Sequence, residues 1–157
     1  MTELTLTLLF LTKDDQVLLA MKKRGFGAGR FNGVGGKIEG DESIEQALIR
    51  ESQEEISITP KNFEKMAHIT FDEFFKGEPA IMNVHVFTTE EWTGEPTESE
   101  EMSPQWFNID NLPFDKMWSD DIHWLPQVLD GKKLKAQFKL DENDKIISHN
   151  VDIVHNF

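Results

Sequence analysis

Cysteine is absent from the 157 residues. That removes disulfides, thiolate nucleophiles and zinc-thiolate centres from the chemistry open to the chain, and it fits a reducing compartment. Excess positive charge is missing too: 16 Lys and Arg stand against 29 Asp and Glu, a net charge of -13. Polymeric nucleic acid is bound by broad basic surfaces, so this balance argues against a DNA or RNA partner while leaving small phosphorylated ligands open. No apolar run approaches the roughly 20 residues that span a bilayer. The opening MTELTLTLLFLTKDDQ lacks a basic leader, and its short apolar run, broken by Thr, reads as a strand. The five His residues fall at no ligand or catalytic spacing, and His85 and His123 read as structural or surface residues. The expectation is a cytoplasmic monomer with neither membrane nor nucleic-acid partner.

What is present suits one globular domain over residues 1–157: 38% apolar residues, with twelve Phe and four Trp, enough for a core without disulfides. Leu4 to Thr12 and Val17 to Met21 are β-rich segments flanking Asp14-Asp15, which predicts an opening hairpin. Seven glycines between Gly25 and Gly40 predict a loop whose backbone closely approaches something. Ser43 with Gln46 forms a capping-box pattern ahead of a helix at about 44 to 56. Phe63 to Phe75 and Ile81 to Thr89 read as strands joined near Gly77-Glu78-Pro79, with Trp92 and Gln105 to Ile109 as later strand material. Asp120 to Leu129 reads as a second helix. Ala136 to Leu140 and Lys145 to Val154 form a closing hairpin. The pattern is mixed α/β.

On the first helix, at about 100° per residue, Glu51 and Glu55 fall within roughly 20° of Ile44, on the apolar stripe, with Glu54 at its margin. Like charges at such spacing destabilise a helix, and partial burial adds a desolvation cost. A solvated acidic face is the usual meaning of a charge run, but such a face should avoid Ile44 and Leu48. Oxygen donors without nearby His or Cys suit a hard divalent cation, magnesium or manganese. Arg50 points about 120° away from the stripe, which predicts that it ties the helix to the preceding loop through Glu42 rather than neutralising the cluster.

The segment GKIEGDESIEQALIRESQEEISI, Gly36 to Ile58, resembles the Nudix hydrolases: Gly36, Glu42, Arg50, Glu51, Glu54, Glu55 and Ile58 stand at that family's spacing. Two positions depart, Ser52 for an aliphatic residue and Ser57 for Gly. The resemblance implies an α/β/α sandwich with a mixed β-sheet and a loop-helix-loop motif. It also implies metal-dependent hydrolysis of a nucleoside diphosphate linked to another group. Mg2+, for which Mn2+ can substitute, would be held by Glu51, Glu54 and Glu55 with a carbonyl of Gly35 or Gly36. A further glutamate would come from Glu98, Glu100 or Glu101, with Glu101 favoured.

MKKRGFGAGRFNGVGGK, EPAIMNVHVF, ESEEMSPQWF and PFDKMWSDDIHWLP are similar to the oxidised purine nucleoside triphosphate hydrolases of that family, over nearly the whole chain. Phe31 stands where Trp is expected, and Phe74-Phe75 sits beside an apparent one-residue insertion. The resemblance implies cleavage of 8-oxo-dGTP and 2-hydroxy-dATP to monophosphate and pyrophosphate, with the base sandwiched by aromatics. Asn32, Trp118, Asp120 and Asp121 would read the base, one Asp holding a proton while the other accepts. Phe26, Phe71, Met82 and Met102 would line the pocket. Thr7, Lys22, Val34, Gly35, Gly36, Lys37 and Ser119 complete the implied substrate contacts. Without the resemblance Asp120 is more simply a helix cap, Asn32 a turn residue and the apolar set plain core. Two rivals remain: a Nudix enzyme for another nucleotide such as an alkylated purine triphosphate, and a catalytically silent nucleotide- or protein-binding module. Retention of every motif glutamate weighs against the second.

Overall fold

The computed structural model describes residues 1–157. In chain order, β1 (Thr2–Lys13), β2 (Gln16–Lys22) and β3 (Phe31–Asn32) precede helix α1 (Ile44–Ile56). Then come β4 (Thr59–Lys61), β5 (Glu64–Phe75), β6 (Glu78–Thr89), β7 (Glu91–Thr93) and β8 (Met102–Asn108), followed by helix α2 (Asp121–Leu129), β9 (Lys133–Leu140) and β10 (Ile146–Val154).

The expected opening hairpin exists only at its tip, where Thr12 pairs with Val17 and Lys13 with Gln16. Beyond that the strands part: β1 runs parallel to β6 from Thr2 and Ala80 to Leu11 and Thr89, while β2 pairs with β8 and β3. The mixed sheet runs β10-β9-β5-β6-β1-β2-β3, with β8 also on β2, and β4 and β7 form a separate small ribbon. The β5–β6 turn is shorter than Gly77-Glu78-Pro79. Lys76 and Gly77 alone make it, at φ 53° and 79°, the pair of left-handed residues that a tight hairpin matched to strand twist requires. Pro79 lies at the start of β6, beyond the end of β1, where proline is tolerated.

The period of two along β1 sends Leu9 and Leu11 to one face and Phe10 to the other. Leu9 and Leu11 join Leu18, Ala20, and Leu48 and Ile56 of α1. Phe10 joins Ile69, Leu134, Phe138, and Trp124, Leu125 and Val128 of α2. The helices thus cover opposite faces of one sheet, the sandwich that the resemblance implies. No helix is long and apolar enough to cross a membrane.

Candidate active site

Residues 33–38 lie against the free edge of β1 as an irregular extra strand: Thr7 N–H donates to the Gly36 carbonyl at 2.9 Å and Leu9 N–H to the Val34 carbonyl at 2.7 Å. Two glycines are required by this approach. A Cβ on Gly35 would stand 1.9 Å from the Thr7 carbonyl oxygen, and one on Gly36 2.7 Å from the Glu51 carboxyl. Gly29 and Gly40, by contrast, face open space. Ser43 then starts α1 with a complete capping box, its hydroxyl accepting from Gln46 N–H and its N–H donating to the Gln46 side chain. Ser52, where an aliphatic residue is usual, is buried but satisfied, its hydroxyl donating to the Leu48 carbonyl at 2.7 Å. Ser57 ends the helix in the left-handed region at φ 63°.

The wheel placement of the glutamates holds. Glu55 is buried, and its Oε1 accepts the Gly35 N–H at 2.8 Å. Burial pushes its carboxyl up to about 8, against the pull of that hydrogen bond, and the charges of Glu51 and Glu101 add to the rise. Burial also raises Glu51, in spite of Arg50 beside it. Glu54 is more than half exposed.

Arg50 does more than the wheel suggests. Its Nε and Nη2 donate to Glu42 at 2.7 and 3.0 Å, and Nη2 also donates to the Lys37 carbonyl at 3.1 Å. Its Nη1 turns back to Glu51 at 2.9 Å and Glu54 at 3.2 Å. The long guanidinium arm spans the angle that its Cα position implies. The expectation that Arg50 leaves the cluster alone is therefore corrected.

No three carboxylates converge on one point as the side chains stand, because the guanidinium supplies the positive charge between Glu51 and Glu54. The donor chemistry nonetheless fits a hard divalent cation: every nearby ligand atom is oxygen, and Glu55 is a desolvated carboxyl without a cationic hydrogen-bond partner. Such a cation would compete with Arg50 for Glu51 and Glu54. Glu101 is near enough to Glu55 for its charge to be felt there, and its Oε1 lies 3.7 Å from Arg24 Nη2; Glu98 pairs with Lys23.

A cleft of about 400 Å³ opens beside Glu55. It brings together, as expected, the apolar Phe26, Phe71, Met82 and Met102, the polar Thr7, Lys22, Asn32 and Lys37, the backbone of Gly35 and Gly36, and Trp118, Asp120 and Asp121. Val34 and Ser119 lie outside it. Val34 is packed in the core under α1, and the Ser119 hydroxyl donates to the Asp144 carbonyl at 3.0 Å. Among the cleft aromatics, Phe26 and Trp118 touch each other, ring centroids 5.2 Å apart. Phe31, in the expected Trp position, is buried edge-on to Phe107.

Polar groups in the cleft are short of partners. Thr7 Oγ1 is buried with none. Asn32 Oδ1 accepts Gly33 N–H at 2.8 Å, which commits the amide oxygen. Asp120 occupies the cap position of α2 but makes no capping hydrogen bond; its carboxylate instead accepts Trp124 Nε1–H at 2.8 Å. Asp121 accepts Trp118 N–H at 3.1 Å. Burial pushes Asp120 up to about 6, and burial followed by repulsion from Asp120 holds Asp121 well above the usual carboxylate range. At neutral pH the pair can therefore both donate and accept.

Among the cleft residues that escape the sequence reading are Arg30, whose guanidinium lies 4.2 Å over the Trp118 ring, Lys76 and Glu73. Glu73 carried a signal, because alternation along β5 puts Ile69, Phe71, Glu73 and Phe75 on one face and a carboxylate in that apolar row is out of place. Arg30 lies in the glycine-rich loop, where no periodicity assigns a direction.

A model of the NUDIX domain matches residues 1–128. The oxidized purine nucleoside triphosphate hydrolase of Danio rerio is 47% identical over 98% of this chain and 97% of its own length. That of Mus musculus is 45% identical over 96% of each. The crystal structure of a MutT protein from Bacillus halodurans superposes with a TM-score of 0.83 at 28% identity, covering 95% of this chain and 97% of that one.

Proposed function

The chain belongs to the NUDIX family, and on that premise we propose that it hydrolyses oxidised purine nucleoside triphosphates, 8-oxo-dGTP and 2-hydroxy-dATP among them, to the monophosphate and pyrophosphate, so cleansing the nucleotide pool. The observation that carries this reading is the adjacency of two unlike halves in one cleft. Glu55, buried on α1 and held by Gly35 of the glycine-rich loop, lines the same cleft as the raised carboxyl pair Asp120 and Asp121 and Asn32. The near full-length relatives named for the same activity support it.

Family members are generally dependent on divalent cations. Here Glu51, Glu54 and Glu55 would hold magnesium, with the Gly35 or Gly36 carbonyl and Glu101 assisting. A bound ion supplies neutralisation of phosphate charge and a water of lowered pKa. The chain's own residues do the rest. Gly35 N–H orients the Glu55 carboxyl. Arg50 holds Glu51 and Glu54 until they are needed and fixes α1 to the loop through Glu42. Lys22 and Lys37 at the cleft can meet phosphate. Water adds across the α–β anhydride, and the bond that breaks releases pyrophosphate.

Asp120 and Asp121, sharing protons near neutrality, can present a donor and an acceptor to purine edges that differ by tautomer, which suits both 8-oxoguanine and 2-hydroxyadenine. We take residues 1–157 as one working domain, because β9, beyond the NUDIX match, pairs with β5 and packs Phe138 on cleft residue Phe71. The net charge of -13 favours small nucleotides over polymers, and we read the protein as a cytoplasmic monomer.

Steady-state kinetics with magnesium on 8-oxo-dGTP against dGTP and 2-hydroxy-dATP against dATP test the reading. A higher kcat/KM for the oxidised member of each pair is expected. Equal values would remove the substrate assignment while leaving the family intact.

A further inference from the structure

Glu73 is the one cleft carboxylate with no assigned work. It lies on the cleft face of β5 between Phe71 and Phe75, opposite Ala80 of β6, and is only 7% exposed. No hydrogen bond or ion pair satisfies it: burial and then the charges of Asp120 and Asp144 push it up to about 7, with nothing opposing. The cleft-lining cations Lys37, Lys76 and Arg30 make no ion pair with it. Lys76 and Lys37 lie 5.3 and 4.9 Å from the Phe75 ring centre, and Arg30 lies over Trp118.

A buried carboxyl without a partner destabilises the fold that contains it, and an apolar side chain at this strand position would be more stable. The cost is recovered only if something entering the cleft brings a donor. Asp120 and Asp121 already accept from Trp124 and Trp118; Glu73 has both oxygens uncommitted.

We propose that Glu73 is a specificity-determining residue that accepts a hydrogen bond from an exocyclic amino group of the purine, so that the cleft selects aminated over deaminated bases. The proposal rests on the nucleotide-hydrolase reading above. A site built around a buried acceptor rejects the analogue that lacks the donor, because the acceptor is then left desolvated and unpaired. Glu73 would thus add a third carboxyl contact to those of Asp120 and Asp121 in the same cleft.

The test is a two-way comparison of substrate against variant, using full-length protein with magnesium. Wild type, Glu73→Leu and Glu73→Gln are assayed on 8-oxo-dGTP against 8-oxo-dITP, which lacks the 2-amino group. The same proteins are assayed on 2-hydroxy-dATP against dXTP, which has oxygen in place of the 6-amino group. Wild type is expected to favour the aminated member of at least one pair by about tenfold or more in kcat/KM. Glu73→Leu should erase most of that preference, chiefly by raising KM for the aminated nucleotide, and should raise the Tm of the nucleotide-free protein. Glu73→Gln, which is isosteric but uncharged, should lower the preference at least threefold, and it decides the matter if Glu73→Leu does not fold. An unchanged preference in the folded variants, or no amino preference in wild type, overturns the role of Glu73 alone. Failure of wild type to turn over any of the four nucleotides overturns the hydrolase reading with it.

Discussion

Gly35 N–H donates to Glu55 Oε1 at 2.8 Å, joining the loop on β1 to the buried face of α1 across a sequence separation of 20 residues. The bond needs only an oxygen acceptor on residue 55, whereas tight holding of a divalent cation draws on the negative charge of the carboxylate. Glu55→Gln should therefore fold with a Tm near that of wild type and lose kcat by roughly 100-fold or more. Thermal melting and initial rates on one preparation check this. A variant with full activity removes Glu55 from the metal site.

Arg50 touches Glu42, Glu51 and Glu54, so Arg50→Ala leaves three carboxylates facing one another. Its Tm in EDTA should fall by roughly 5 °C. Magnesium should then raise the Tm of the variant more than that of wild type, because the cation no longer competes with a guanidinium for Glu51 and Glu54. Equal magnesium shifts would contradict the arrangement.

The acidic groups of the cleft give stability an unusual pH dependence. Asp120, Glu73 and Glu55 have folded-state values of about 6, 7 and 8, against about 4 in an unfolded chain. Each folded carboxyl thus holds its proton more tightly, and its stabilisation is complete below about pH 4 and lost as pH rises through the folded value. Burial lowers His85 to about 4 and also lowers His68 and His123, which opposes this trend below about pH 6.5; the Tm of metal- and nucleotide-free protein should therefore fall between about pH 6.5 and 8.5, and Asp121→Asn, which removes one buried charge, should flatten that fall. Glu42, Glu98 and Asp141, whose values are lowered, titrate below this window. A Tm that rises across it contradicts the assignment.

Ser57 holds a left-handed φ of 63° at the end of α1, a conformation that costs an L-residue about 1 kcal/mol and glycine much less. Ser57→Gly should stabilise the protein by roughly 0.5–1 kcal/mol in urea denaturation with kinetics unchanged. Destabilisation would mean that the hydroxyl or the stiffer backbone matters more.

Sequence reading succeeded where one local rule decided the outcome. The capping box located α1, a 3.6-residue period put Glu51 and Glu55 on its buried face, and period-two alternation marked β5 and β6. It fell short where long-range geometry decided. The β1–β2 hairpin shrank to its tip because residues 33–38 take the rest of that edge of β1, whose other edge pairs with β6, Thr2 with Ala80 and Leu11 with Thr89. Arg50 reaches two ways because its side chain is long. The cleft gathers β1, β3, β5, β6 and α2 from across the chain, so no spacing connects Asn32 with Asp120, and resemblance alone suggested that they belong together. Glu73 breaks an apolar alternation and could have been noticed; that it faces Asp120 could not.

Hydrolysis of oxidised purine triphosphates at the α–β anhydride is read directly from its products. With magnesium and 8-oxo-dGTP, one pyrophosphate and one 8-oxo-dGMP per turnover are expected, at a kcat/KM above that for dGTP. Release of inorganic phosphate with 8-oxo-dGDP, or equal turnover of dGTP, would contradict it.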